Sequence, residues 1–143
     1  MSLDVFLDKK KTYLKYPLYS DVIDYLKKNG IREVVLFGAS EGGKEIYQKL
    51  SRDHVNVSCF CDNDSTKWGK SFLGEKIISP SELSINNFIL ISSSFQDEIY
   101  CQLRELGLKK IFHFPLVDII TKNHYKEEII YENEDSIKKH IIC

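Results

Sequence analysis

The chain has 143 residues, 43% of them hydrophobic, a net charge of −1 and a pI of about 6.4, which suits one globular unit with one buried core. A charge so near neutral excludes the electrostatic footprint of a nucleic-acid or anionic-membrane binder. No apolar run approaches the roughly 18 residues that span a bilayer, and the polar N-terminus lacks a signal-peptide core, so a soluble cytoplasmic protein is expected.

In chain order, Asp4–Tyr16 reads as an amphipathic helix ended by Pro17. Ser20 is placed to cap a second helix over Asp21–Asn29, with Val22, Ile23 and Leu26 as its apolar side and Gly30 beyond its end. Val34-Val35-Leu36-Phe37 is an unbroken apolar run, as expected of a strand buried on both faces of a parallel sheet. It stops at Gly38, and glycine and polar residues continue to Gly43 before a helix over Lys44–Ser51, whose inner face is Ile46, Tyr47 and Leu50.

Val55–Cys61 alternates for most of its length and predicts the second strand, closed by Asp62-Asn63-Asp64. Ser65–Phe72 reads as a polar loop, Gly74–Ile78 as a third strand, and Ser79-Pro80-Ser81-Glu82 as a capping box with proline at the first helical position. Phe88–Ile91 is a second uninterrupted buried run. Ser94 and Asp97 fit a capping box that opens a helix to about Leu106, with Ile99, Leu103 and Leu106 facing inward, and Lys110–Phe114 is the last strand. Leu116–Lys122 and Glu134–Ile142 read as short helices.

Strands alternating with helices argue for an α/β fold with an open parallel sheet of about five strands and right-handed crossovers. N-terminal helices over 1–30 would pack on a core of 31–114, and 115–143 would form a C-terminal helical extension.

The strand, glycine turn and helix around Gly38 have the form of the entry to a dinucleotide-binding βαβ unit, in which helix-start N–H groups receive a phosphate. The Gly-x-Gly-x-x-Gly frame falls on Gly38, Ser40 and Gly43, with serine at the position where pyrophosphate approaches the backbone most closely. Candidate ligand contacts are therefore Gly38, Ala39, Ser40, Glu41, Gly42 and Gly43; the alternative is a structural turn without ligand. Asp62 lies 19 residues beyond Gly43, near the spacing of a carboxylate that binds a ribose hydroxyl. Asn63 and Asp64 join it as candidates, against the reading that all three only form a turn. Lys67 leaves a 2′-phosphate open. Ser92 and Ser93 follow the fourth strand, which in the order 3-2-1-4-5 faces the glycine turn across the switch point; Ser94 is better explained as a helix cap.

Cys59, Cys61, Cys101 and Cys143 lack zinc-ligand spacing and read as inert thiols. His54, His113, His124 and His140 are widely separated, so no metal site is expected, and only His113 sits where an acid/base could be. Trp68 is placed to stack on a base, to form a lid or to contact a partner. No catalytic constellation is apparent.

The run Phe60-x-Asp62-Asn63-Asp64-x-x-Lys67-x-Gly69, then Gly74, then Ile78-Ser79-Pro80-x-x-Leu83, resembles the Rossmann-like nucleotide- or nucleotide-sugar-binding domain of bacterial polysaccharide-biosynthesis proteins. Such domains precede the catalytic parts of sugar acetyltransferases, sugar epimerase/dehydratases and sugar-processing methyltransferases. The resemblance covers about Ile31–Phe114. It implies a nucleotide, NAD(P) or a nucleotide-sugar at Gly38–Gly43, Asp62–Asp64 and the loop after the fourth strand. A second copy, or a catalytic domain or subunit, is expected as partner. Two rival readings stand beside it: a component of an NAD-dependent nucleotide-sugar epimerase or dehydrogenase, and a structural or oligomerisation domain with an empty crevice.

Overall fold

The computed structural model describes residues 19–113. The helices expected over Asp4–Tyr16, Leu116–Lys122 and Glu134–Ile142 lie outside the described residues, as do His124, His140 and Cys143.

Six strands form one sheet: β1 (Glu33–Phe37), β2 (Asn56–Cys61), β3 (Ser71–Phe72), β4 (Glu75–Ile78), β5 (Ile89–Ile91) and β6 (Ile111–His113). Their spatial order is β3-β4-β2-β1-β5-β6. Every pairing is parallel except that of β3 with β4. The five parallel strands thus have the expected order, and β3 adds an antiparallel edge where a polar loop was expected. Among the described residues, three α-helices flank the sheet: α1 (Tyr19–Lys28), α2 (Glu41–Arg52) and α3 (Gln96–Glu105). Among the described residues, no helix is long and apolar enough to cross a membrane.

The continuous apolar runs of β1 and β5 follow from burial on both sheet faces. On one face, Val34, Leu36 and Leu90 pack with Val22 and Leu26 of α1 and with Ile46 and Leu50 of α2. On the other, Val35, Phe37, Ile89 and Ile91 pack with Ile99 and Leu103 of α3. The β1-to-β2 crossover therefore runs on one face and the β5-to-β6 crossover on the opposite one, and the winding reverses between β1 and β5. Aromatic contacts tie the layers: Tyr25 of α1 meets Phe112 of β6 edge-on at 5.2 Å, and Phe60 of β2 lies between Tyr47 at 5.8 Å and Phe72 at 5.0 Å.

Strand β2 carries a register shift against Val34 and Val35, where Val57 and Cys59 are the successive partners and Ser58 is skipped. This extra residue puts Val57 and Phe60, three apart, in the same core, while Cys61 serves the other. Strict alternation is thereby broken.

Several helix boundaries differ from expectation. Helix α1 already contains Tyr19 and Ser20, so Ser20 is not its cap. Ser79 and Glu82 do form a capping box, with the Ser79 N–H donating to the Glu82 carboxylate at 2.9 Å, but it opens only a 3-10 turn. Leu106 is 50% exposed, and Leu108 takes the inward place expected of it.

Candidate functional site

At the carboxyl ends of β1, β2 and β5 lies a crevice of about 550 Å³. Phe37, Gly38 and Ser40 line it from the β1 turn, and Asp62, Asn63, Asp64 and Lys67 from the segment after β2. Ser93 and Phe95 line it from the loop after β5, and Glu98, Ile99 and Gln102 from α3. This is the switch point where ligands of open α/β sheets bind.

The glycine turn is shaped by contact rather than by charge. Gly38 has φ +128°, and a Cβ there would stand 2.8 Å from the Ser92 hydroxyl. Gly43, in the first turn of α2, faces the Gly38 carbonyl oxygen, which a Cβ would meet at 2.0 Å. That absence of a side chain lets α2 close onto β1, the role of the third glycine in the dinucleotide pattern. Ser40 is the N-cap residue of α2 in extended backbone, and its side chain makes no capping hydrogen bond.

Asp62 is held against this turn. One carboxylate oxygen accepts the Ala39 N–H at 2.9 Å and the other accepts the Asp64 N–H at 2.9 Å. Lys67 Nζ donates to the Ala39 carbonyl at 2.9 Å and stands 3.6 Å from the Asp62 carboxylate. The Ala39 peptide groups are thus gripped from both sides by the segment that follows β2. Asp64 caps a 3-10 turn over Ser65–Lys67 by accepting the Thr66 N–H and hydroxyl, bonds that hold its carboxyl below the usual range.

Of the expected ligand residues, Gly38, Ser40, Asp62, Asn63, Asp64 and Ser93 line the crevice, whereas Ala39, Glu41, Gly42, Gly43 and Ser92 do not. Ala39 and Gly43 are buried. Ser92 is 1% exposed, and its hydroxyl donates to the Phe37 carbonyl at 3.1 Å, so it seams β5 to β1 beneath the crevice floor. Ser94 is not the cap of α3, which begins at Gln96 with Phe95 in the N-cap position. In the loop before it, the Ser93 Oγ accepts the Phe95 N–H at 3.1 Å and the Gln96 amide donates to the Ile91 and Ser93 carbonyls, and α3 starts without a side-chain cap.

Sequence reasoning missed Phe95, Glu98, Ile99 and Gln102. The switch-point rule could have found them, because α3 starts where β5 ends. Gln102 exchanges reciprocal amide hydrogen bonds of 2.8 and 2.9 Å with Asn63 across the crevice. Trp68 is 42% exposed and donates its indole N–H to the Asp62 carbonyl at 2.7 Å, which fixes the loop rather than lining the site.

Burial pushes the Cys61 and Cys59 thiols up, so neither is poised as a thiolate. Among the described residues, no His, Cys, Asp and Glu side chains cluster as metal ligands.

A family model described as C2185-like, N-terminal, matches residues 30–112, more than half of the chain, and the chain belongs to that family. The fold is similar to the crystal structure of UDP-D-quinovosamine 4-dehydrogenase from Vibrio fischeri, with a TM-score of 0.52 and 21% identity, over 64% of this chain and 85% of that one. No curated protein matches the chain.

Proposed function

We propose that this member of the C2185-like family binds a nucleotide or nucleotide-sugar in the switch-point crevice and serves sugar or polysaccharide biosynthesis, with the chemistry carried by another domain or subunit. The observation that carries the reading is convergence. The β1 turn, the acidic end of β2 and the loop after β5 all open into one crevice of about 550 Å³, a volume within the usual range of small-molecule sites.

In this reading the glycine turn at Gly38 and Ser40 faces the phosphates, Asp62 accepts from a ribose hydroxyl while keeping the Ala39 N–H, and Ser93 closes the far wall. A carboxylate offers about four lone-pair sites, so two backbone donors leave room for a ribose diol. Sugar biosynthesis is supported by the fold's likeness to an enzyme acting on a UDP-sugar. NAD(P) is the rival ligand, and it would make the chain part of a hydride-transfer enzyme whose acid/base lies elsewhere.

Thermal shift separates these. A ligand at a hundredfold over its Kd adds about 2.7 kcal/mol, so the midpoint should rise with UDP- or dTDP-sugars. A rise with NAD or NADP alone would favour the hydride-transfer reading. No rise with any of them would leave the crevice a structural feature.

A further inference from the structure

This inference rests on the nucleotide reading and concerns how a diphosphate is held. The crevice is acidic: Asp62, Asp64 and Glu98 line it, against Lys67 as the one cation among its described lining residues. One lysine against three carboxylates leaves an excess of two negative charges. A diphosphate entering this lining meets repulsion that a helix N-terminus, equivalent to roughly half a charge, does not offset.

We propose that Lys67 is the residue that anchors the phosphates. An ammonium carries three N–H donors. The Ala39 carbonyl takes one at 2.9 Å, and the Asp62 carboxylate, at 3.6 Å, is beyond hydrogen-bond distance. Two donors therefore remain, on a side chain 35% exposed at the crevice wall. The Ala39 bond fixes the ammonium over the glycine turn before any ligand arrives, so little side-chain entropy is lost on binding. Its position also answers the serine at the second glycine position. Where the Ser40 Cβ keeps a diphosphate from the closest backbone approach, a lysine reaching over the turn supplies an alternative contact.

The test is calorimetric titration of wild type, Lys67→Gln and Lys67→Arg with UDP-N-acetylglucosamine and NAD, with uridine and adenosine followed by NMR titration. Lys67→Gln should lose about 10- to 100-fold in affinity for whichever diphosphate ligand the wild type binds, while nucleoside affinity stays within about threefold. Lys67→Arg should retain most of the affinity, and added salt should weaken wild type more than Lys67→Gln. Unchanged diphosphate affinity in Lys67→Gln overturns the proposal. So does an equal loss for nucleoside and diphosphate, which would mark Lys67 as shaping the turn only. If wild type binds none of the four probes, the nucleotide reading itself fails, an outcome distinct from a wild type that binds and a variant that binds equally well.

Discussion

Gly43 sits so close to the Gly38 carbonyl that a Cβ on it would lie 2.0 Å from that oxygen. The obstruction is backbone, held where the Gly38 N–H donates to the Cys61 carbonyl at 2.8 Å, so it cannot swing aside as a flexible side chain would. Gly43→Ala must therefore push α2 off the sheet, disturbing the Ile46 and Leu50 packing that holds it. The expected loss is at or above the upper end of overpacking costs, about 3 kcal/mol. Urea unfolding checks it; a loss below about 1 kcal/mol would show that α2 can shift without cost.

Gly38 is constrained twice, by φ +128° and by the Ser92 hydroxyl 2.8 Å from where its Cβ would be. The two constraints separate in a double-mutant cycle. Ser92→Ala alone should cost about 1 kcal/mol for its buried hydrogen bond to Phe37. Gly38→Ala should cost more, and the pair should cost less than the sum by about 1 kcal/mol, because removing the hydroxyl relieves the clash but not the backbone strain. Strict additivity in chemical denaturation would mean that backbone strain is the whole effect.

The order of the five parallel strands was legible because two facts survive without coordinates. β1 and β5 must be buried on both faces and so read as pure apolar runs, and glycine at 38 and 43 marks the turn between β1 and α2. What escaped was geometry that residue type does not announce. The extra residue at Ser58 breaks the alternation of β2. The β3–β4 hairpin turns through Leu73 and Gly74, both at positive φ, 52° and 85°, the mark of a type I′ turn that usually reads Asn-Gly or Asp-Gly. Among the residues that line the crevice, Asp62 was expected from its spacing. Nothing local foretold that Gln102 would face Asn63, or that Ser92 would be drawn beneath the floor, since each depends on where α3 and β5 settle.

Leu73 itself is a test of that hairpin. A leucine at φ 52° carries steric strain and is 37% exposed, so little packing is lost on replacing it. Leu73→Asn should stabilise the protein by about 0.5–1 kcal/mol, seen as a raised thermal midpoint. A fall in midpoint would show that the leucine contributes packing its exposure does not reveal.

Asp62 joins the fold to the proposed ligand. In Asp62→Asn one oxygen can still accept the Ala39 N–H, but the bond to the Asp64 N–H and the ion pair with Lys67 are lost. Stability should fall by about 1 kcal/mol. Nucleotide affinity should fall further, by about 1–3 kcal/mol, through loss of the charged acceptor for ribose. Calorimetry with the ligand found by thermal shift decides it; an affinity equal to wild type would remove Asp62 from the site.

Cys61 makes stability sensitive to alkali. Burial raises its thiol well above the ordinary value of 9, so the folded state keeps a proton that the unfolded chain releases above that pH. With fewer protons bound to the unfolded state than to the folded one, stability is fully present below about pH 9 and falls as pH rises beyond it, by up to about 1.4 kcal/mol per pH unit for this one group. Cys61→Ala should lower stability at pH 7 through the small cavity it leaves, yet flatten the decline between pH 9 and 10.5. Unfolding free energies at pH 8, 9, 10 and 10.5 measure both slopes. Equal slopes for wild type and variant would mean that Cys61 ionises in the folded state as readily as in the unfolded one.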